Sequence, residues 1–211
     1  MPVLGIDPGV LPAFAMAMVL VELTPGPNLA WLALLAASRG RRTAMRAIAG
    51  VTVGLSAWLL VTLLGLSRTA LLSEPGLEVL RWVGAGYLLW LAWDAVWPPS
   101  SPRPGLEHDR PFLRGLGANL LNPKAAIFYV ALLPAFIKPW AGPVPVQILT
   151  LGTIHIAISV VVHSAVALGA AEAASRLPPR WGLALRLLLA AGLLASTLWL
   201  LTISLSPDPA A

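Results

Sequence analysis

The sequence contains no cysteine. A disulfide framework, a thiol redox relay and a thiolate metal site are therefore excluded, and with them the membrane thiol–disulfide carriers. Charge is also scarce. Only 11% of the 211 residues are Asp, Glu, Lys or Arg, against 58% hydrophobic. Soluble domains carry about 25% charged residues. With a mean hydropathy of +0.82, the chain is an integral membrane protein. No H-E-x-x-H, G-x-S-x-G or Walker pattern is present, so the common hydrolase and nucleotide-driven chemistries have no foothold. The opening "MPVLGIDPGVLP" lacks a basic n-region, and no cleaved signal peptide is expected.

What is abundant is apolar sequence in long blocks. A spanning helix needs roughly 20 mostly apolar residues. Six segments qualify: about 10–37, 47–67, 77–97, 112–137, 145–171 and 182–205. Arginine is concentrated in 38–46 ("SRGRRTAMR"), in 98–116 and in 172–181. Positive charge marks cytoplasmic loops, so these three face the cytoplasm and both termini lie outside. A re-entrant first segment would instead put the N-terminus inside. The net charge of +5 is accounted for by these loops, and no nucleic-acid partner is expected.

The two halves echo each other. "TPGPNLAWLALL" in the first segment faces "NPKAAIFYVALL" in the fourth, and Leu80–Leu91 faces Leu185–Ser196. Three spans per half is an odd number, so the second half must be inverted. The expected fold is all-α, six transmembrane helices as two inverted three-helix repeats, with helices 1 and 4 broken. Residues 1–97 form the first repeat, 98–111 a cytoplasmic linker and 112–211 the second repeat. Inverted repeats with broken helices at matching positions are typical of secondary transporters.

The breaks carry the chemistry. Proline removes a backbone donor and glycine loosens the chain. In hydrocarbon, freed peptide groups persist only within protein or beside water. Pro25, Gly26, Pro27 and Asn28 in one half, and Asn119, Asn122, Pro123 and Lys124 in the other, are therefore candidate substrate-binding residues. Helix N-termini, the asparagines and Lys124 suit a carboxylate. Glu22 and freed carbonyls suit an ammonium. Simple kinks at the prolines, and a Lys124 that snorkels to headgroups, are the plainer readings. An intramembrane carboxylate is functional by default, so Glu22, with His155, is the candidate proton carrier. His155, Ser159 and His163 recur at i, i+4, i+8 and share one helix face. The two histidines lie about 12 Å apart along the axis, too far for one metal. They form either a polar stripe satisfied by neighbouring helices or a proton path. Asp94, beside Trp93 and Trp97, reads as an interface anchor. Gly50, Gly54, Gly84 and Gly86 read as close-packing surfaces.

"LTPGPN", "SRGRRTAMRAIAGVTVG", "LRWVGAGYLLWLAWDA" and "GLGANLLNPKAAIFYVALLPAFI" occur in an order and spacing that resembles the LysE/RhtB family of bacterial amino-acid exporters. The resemblance spans nearly the whole chain. It implies efflux of amino acids or close derivatives across the inner membrane, driven by an ion gradient, with no cofactor. The implied partners are an amino-acid substrate and the lipid bilayer, and a homo-oligomer is compatible with it. The sequence departs from the family pattern at Ser159, where many members carry an acidic residue, and at Trp58. A transporter of another solute, such as a cation or organic acid, and a non-transport assembly subunit are the competing readings.

Overall fold

A computed structural model describes residues 6–24, 26–65, 74–97 and 110–202. The fold is all-helical. The expected C-terminal tail, most of the linker 98–111, and Pro25 lie outside the described residues.

Helix α1 (Val10–Leu23) ends where Thr24 turns extended, its N–H and Oγ1 both bonded to the Leu20 carbonyl at 2.9 and 2.7 Å. Helix α2 (Pro27–Arg39) restarts with proline at its first position, where a missing N–H costs nothing. The two helices bend by 57° at the break. At the end of α2, Gly40 adopts φ +80°, a left-handed conformation that suits glycine, and α3 (Arg41–Leu63) follows at once. The expected loop 38–46 is thus mostly helix, with Arg41, Arg42 and Arg46 on its first turns.

After α4 (Glu74–Val96), the second half repeats the break. Helix α5 (Arg110–Leu120) gives way to α6 (Pro123–Ile127), again with proline at the first position, and the bend is 54°. A π-helical turn, Phe128–Leu132, and the short α7 (Leu133–Ala135) continue it. Helix α8 (Val144–Arg176) has 33 residues, about 50 Å at 1.5 Å per residue. That exceeds the ~30 Å hydrocarbon layer. Helix α9 (Pro179–Thr202) closes the bundle. By length and composition α3 and α8 can each cross a membrane, and counting each bent pair as one span brings the number to four.

Glycine sets the tightest contacts. A Cβ on Gly50 would overlap the Phe112 carbonyl of α5, and one on Gly115 would overlap the Ala47 carbonyl of α3. Just past the end of α5, the Leu121 carbonyl meets Gly84 of α4. Close approach of this kind replaces a hydrophobic driving force inside lipid. Gly86, expected to share that role, faces open space. Helix α8 packs on α1, α2 and α3, and α9 on α2 and α4. Phe14, Trp31, Leu88, Leu133 and Leu151 are buried between them, while Met16, Leu60, Trp90, Val161 and Leu188 face outward. So many exposed apolar side chains fit a lipid-facing exterior.

Candidate functional site

The two helix breaks meet. Gly26 and Asn28 from the first, and Asn119, Asn122 and Lys124 from the second, line one cavity together with Glu22, His155, Ser159 and His163. Pro27 and Pro123 are buried at the starts of α2 and α6 without lining it, so their part is to end one helix and start the next. The cavity is small, about 30 Å³. One water needs on the order of 10–15 Å³ by this measure. An amino acid requires it to widen.

Glu22 lies in the last turn of α1 and is buried. Its Oε1 is 2.9 Å from His155 Nε2, and its Oε2 is 3.3 Å from His163 Nε2. One carboxylate therefore bridges two imidazoles set two turns apart on α8. The far nitrogen of each ring meets a hydroxyl: His155 Nδ1 lies 3.2 Å from Tyr129 Oη, and His163 Nδ1 lies 3.2 Å from Ser159 Oγ. An Nε2–H on each ring donating to Glu22, with each hydroxyl donating to Nδ1, gives every one of these groups a partner. The ring of His155 is held by Phe128, their centroids 3.9 Å apart. Tyr129 sits in the π-helical turn, and its carbonyl accepts from Thr62 Oγ1 of α3 at 3.2 Å. Such turns often mark functional positions. Among the described residues no group of three or more His, Asp or Glu is arranged to hold a metal ion.

Lys124 does not snorkel. Its Nζ donates to the carbonyls of Val21 (2.6 Å) and Thr24 (3.3 Å), at the C-terminal end of α1. That end carries unpaired carbonyls and a partial negative charge, which an ammonium offsets. Asn122 is also engaged, its Oδ1 accepting from the Lys124 backbone N–H at 3.0 Å and capping α6. Asn28 and Asn119 differ. These residues are 5% and 2% exposed, and no donor among the described residues reaches either Oδ1.

The sequence reading brought Glu22 and His155 to the site, and both are there. It grouped Ser159 and His163 with His155 through their spacing, but did not foresee that one carboxylate would bridge the two rings. Tyr129 was missed. Nothing in the sequence announces a π-helical turn.

A second charged cluster lies outside the cavity. The Asp94 carboxylate at the end of α4 pairs with Arg39 of α2 at 2.7 Å and with Arg114 of α5. Arg39 also donates to the Asp94 carbonyl at 2.6 Å, and the Arg114 guanidinium lies 4.9 Å from the centre of the Trp90 ring. Beyond the interface anchor expected of Asp94, its side chain is 12% exposed and joins three helices through Arg39 and Arg114.

The pattern that describes the LysE type translocators matches residues 19–205. The homoserine/homoserine lactone efflux protein of Salmonella typhimurium (strain LT2) is 32% identical over 155 residues, 71% of this chain and 75% of that protein. The cysteine/O-acetylserine efflux protein of Salmonella choleraesuis is 30% identical over 155 residues, 69% of this chain and 78% of its own. The threonine efflux protein of Escherichia coli (strain K12) is 33% identical over 141 residues, 61% of this chain and 66% of its own. No solved structure matches the chain.

Proposed function

Because the chain belongs to the LysE type translocator family, we propose that it exports amino acids or close derivatives from the cytoplasm as a secondary transporter of the bacterial inner membrane. The efflux proteins it is similar to act on homoserine, threonine and cysteine or O-acetylserine, so small amino acids head the candidate substrates. The observation that carries the reading is the shared cavity to which both helix breaks contribute, with a buried carboxylate on its wall. Irregular backbone inside a membrane protein is tolerated where it lines such a cavity.

The coupling ion in this reading is the proton. Glu22 takes it up as substrate leaves on the outside and releases it to the cytoplasm, and His155 donates to or accepts from the same carboxylate. The substrate meets Gly26, Asn28, Asn119, Asn122 and Lys124, with Pro27 and Pro123 starting the helices beyond the two breaks.

The architecture proposed for this work is six spans in two inverted repeats, 1–97 and 112–211, joined by the linker 98–111 and operating by alternating access. Several packing features support it. The corresponding helices α3 and α8 meet, as do α4 and α9. Helix α3 packs on α5 of the other half, while α8 packs on α1. The two bends are of similar size, 57° and 54°. Arg39 and Arg114 share Asp94, which favours one side of the membrane for the basic segments 38–46 and 98–116. With 172–181 on that side as well, both termini are outside.

The test is efflux from cells preloaded with a panel that includes threonine, homoserine, cysteine, small organic acids and monovalent cations, with and without the protein. Faster loss of one or more amino acids, accelerated by an inward proton gradient, is expected. Loss confined to an organic acid or a cation would replace the amino-acid reading. An exported-type phosphatase fused after Ala211 should be active, and cytoplasmic reporter activity at that site would reject the topology.

A further inference from the structure

Four helix ends converge on the cavity, and they are not equally engaged. The C-terminal end of α1 is met by the Lys124 ammonium. The N-terminal end of α6 is capped by Asn122, whose carbonyl also takes the N–H groups of Ala125 and Ala126. The N-terminal end of α2 has no side-chain cap. At the C-terminal end of α5, among the described residues, backbone N–H groups of Leu121 and Asn122 bond carbonyls, and no ammonium or guanidinium does. One positive and one negative helix end are therefore left facing the cavity.

The side chains divide in the same way. Both oxygens of Glu22 are taken by His155 and His163. Among the described residues, the buried side-chain acceptors left without a donor are the amide oxygens of Asn28, in the first turn of α2, and Asn119, in the last turn of α5. A buried acceptor without a donor is costly, and both of these line the cavity.

We propose that the transported molecule is an α-amino acid held with its ammonium at the Asn28 and Asn119 amide oxygens, beside the end of α5, and its carboxylate at the uncapped start of α2. This orientation rests on the amino-acid export proposed above. It departs from the expectation that the asparagines bind the carboxylate and Glu22 the ammonium. Substrate and proton then have separate, adjacent places: the ammonium on neutral amides, the proton on the Glu22–histidine bridge. Asn28 sits at the same helix start that takes the carboxylate, so the site favours charged groups borne on one carbon. An ammonium offers three N–H donors, and each methyl added to it removes one.

The test uses the full-length protein in proteoliposomes with labelled L-threonine, or whichever amino acid of the panel is exported fastest. Competitors are its N-methyl, N,N,N-trimethyl, carboxyl methyl ester and β-amino analogues. In the unaltered protein the trimethyl analogue should compete roughly ten- to a hundredfold less well, the range for losing charge-assisted hydrogen bonds. The β-amino analogue should also be weak. Asn119→Leu should raise the KM for the amino acid and erase the discrimination against N-methylation, while preference for the free carboxylate over the ester persists. Asn119→Asp, which keeps the acceptor, should retain selectivity for the primary ammonium. Equal competition by all N-methylated forms in the unaltered protein would overturn the orientation. So would an Asn119→Leu variant that loses ester discrimination but keeps N-methyl discrimination. The analogue series on the unaltered protein decides the matter even if both variants fail to insert. Export of no amino acid at all is a different result: it removes the proposed function and this orientation with it.

Discussion

Two carboxylates in this molecule hold two basic side chains each. Glu22 joins α1 to His155 and His163 of α8, and Asp94 joins α4 to Arg39 of α2 and Arg114 of α5. Both clusters tie the first half of the chain to the second. They differ in the chemistry of their partners. Imidazole gains and loses its proton near neutral pH, whereas guanidinium stays charged. The Glu22 cluster can change its net charge without rearranging. The Asp94 cluster can change only by coming apart. The first is suited to carrying a proton beside a substrate, and the second to holding three helix ends in register.

The largest effect is expected from removing the charge at Glu22. Glu22→Gln keeps the shape and one hydrogen-bond acceptor but cannot exchange a proton. Proton-gradient-driven export in proteoliposomes should fall by more than tenfold, and its dependence on pH should flatten. Membrane insertion should be normal. An unchanged pH profile would show that the proton is carried elsewhere, and the contrast between the clusters would lose its functional meaning.

Asp94→Asn tests the other side. Two guanidiniums lose their shared counter-charge. The pairs are neither fully buried nor freely exposed, with side chains 26% (Arg39), 14% (Arg114) and 12% (Asp94) accessible. Surface pairs contribute about 0–1 kcal/mol, and breaking a buried one costs about 3–5. A loss on the order of 1–3 kcal/mol is expected, read as a lower thermal midpoint in detergent. The pH profile of export should keep its shape. A profile that moves as far as with Glu22→Gln would make Asp94 part of the proton route.

These clusters also show what a sequence discloses. The breaks were legible because proline and glycine act locally, through φ restriction, a missing N–H and a loosened chain, and proline with asparagine marks both bends. The polar face of α8 was legible because helical periodicity is local as well. The partners of Asp94 were not legible because they lie 55 and 20 residues away, and no local pattern announces a cross-helix ion pair. The engagement of Lys124 with the end of α1, across 103 residues, was hidden for the same reason. Gly50 and Gly84 were recognised as packing surfaces, but only the folded chain assigns Gly50 to α5 and Gly84 to Leu121 just beyond its end.

The two histidines sharpen the comparison within the Glu22 cluster. His155 is the closer to the carboxylate, at 2.9 against 3.3 Å, and is held by Phe128 and Tyr129. His155→Gln should therefore slow driven export more than His163→Gln, by several-fold, with both variants shifting the pH profile. Equal and small effects would mark the pair as packing for a carboxylate that works alone.

The smallest effect is expected at Tyr129. Its hydroxyl lies 3.2 Å from His155 Nδ1, and donating there it favours the tautomer in which Nε2 carries the proton toward Glu22. Tyr129→Phe keeps the ring, its edge contact with Phe128 and the backbone of the π-helical turn. It removes one hydrogen bond, worth about 0.5–1.5 kcal/mol, or roughly a two- to twelvefold change in an equilibrium. Without that donor, the opposite tautomer, with the proton on Nδ1, becomes accessible, and in it Nε2 has no hydrogen to offer the carboxylate. The expected outcome is a modest fall in driven export together with a displaced pH profile, at near-normal thermal stability. Fluorescence or scattering melts in detergent measure the second quantity, and proton-gradient-driven efflux over a pH series the first. A stability loss with an unmoved pH profile would place Tyr129 among the packing residues and confine the proton-handling group to Glu22 and the two histidines.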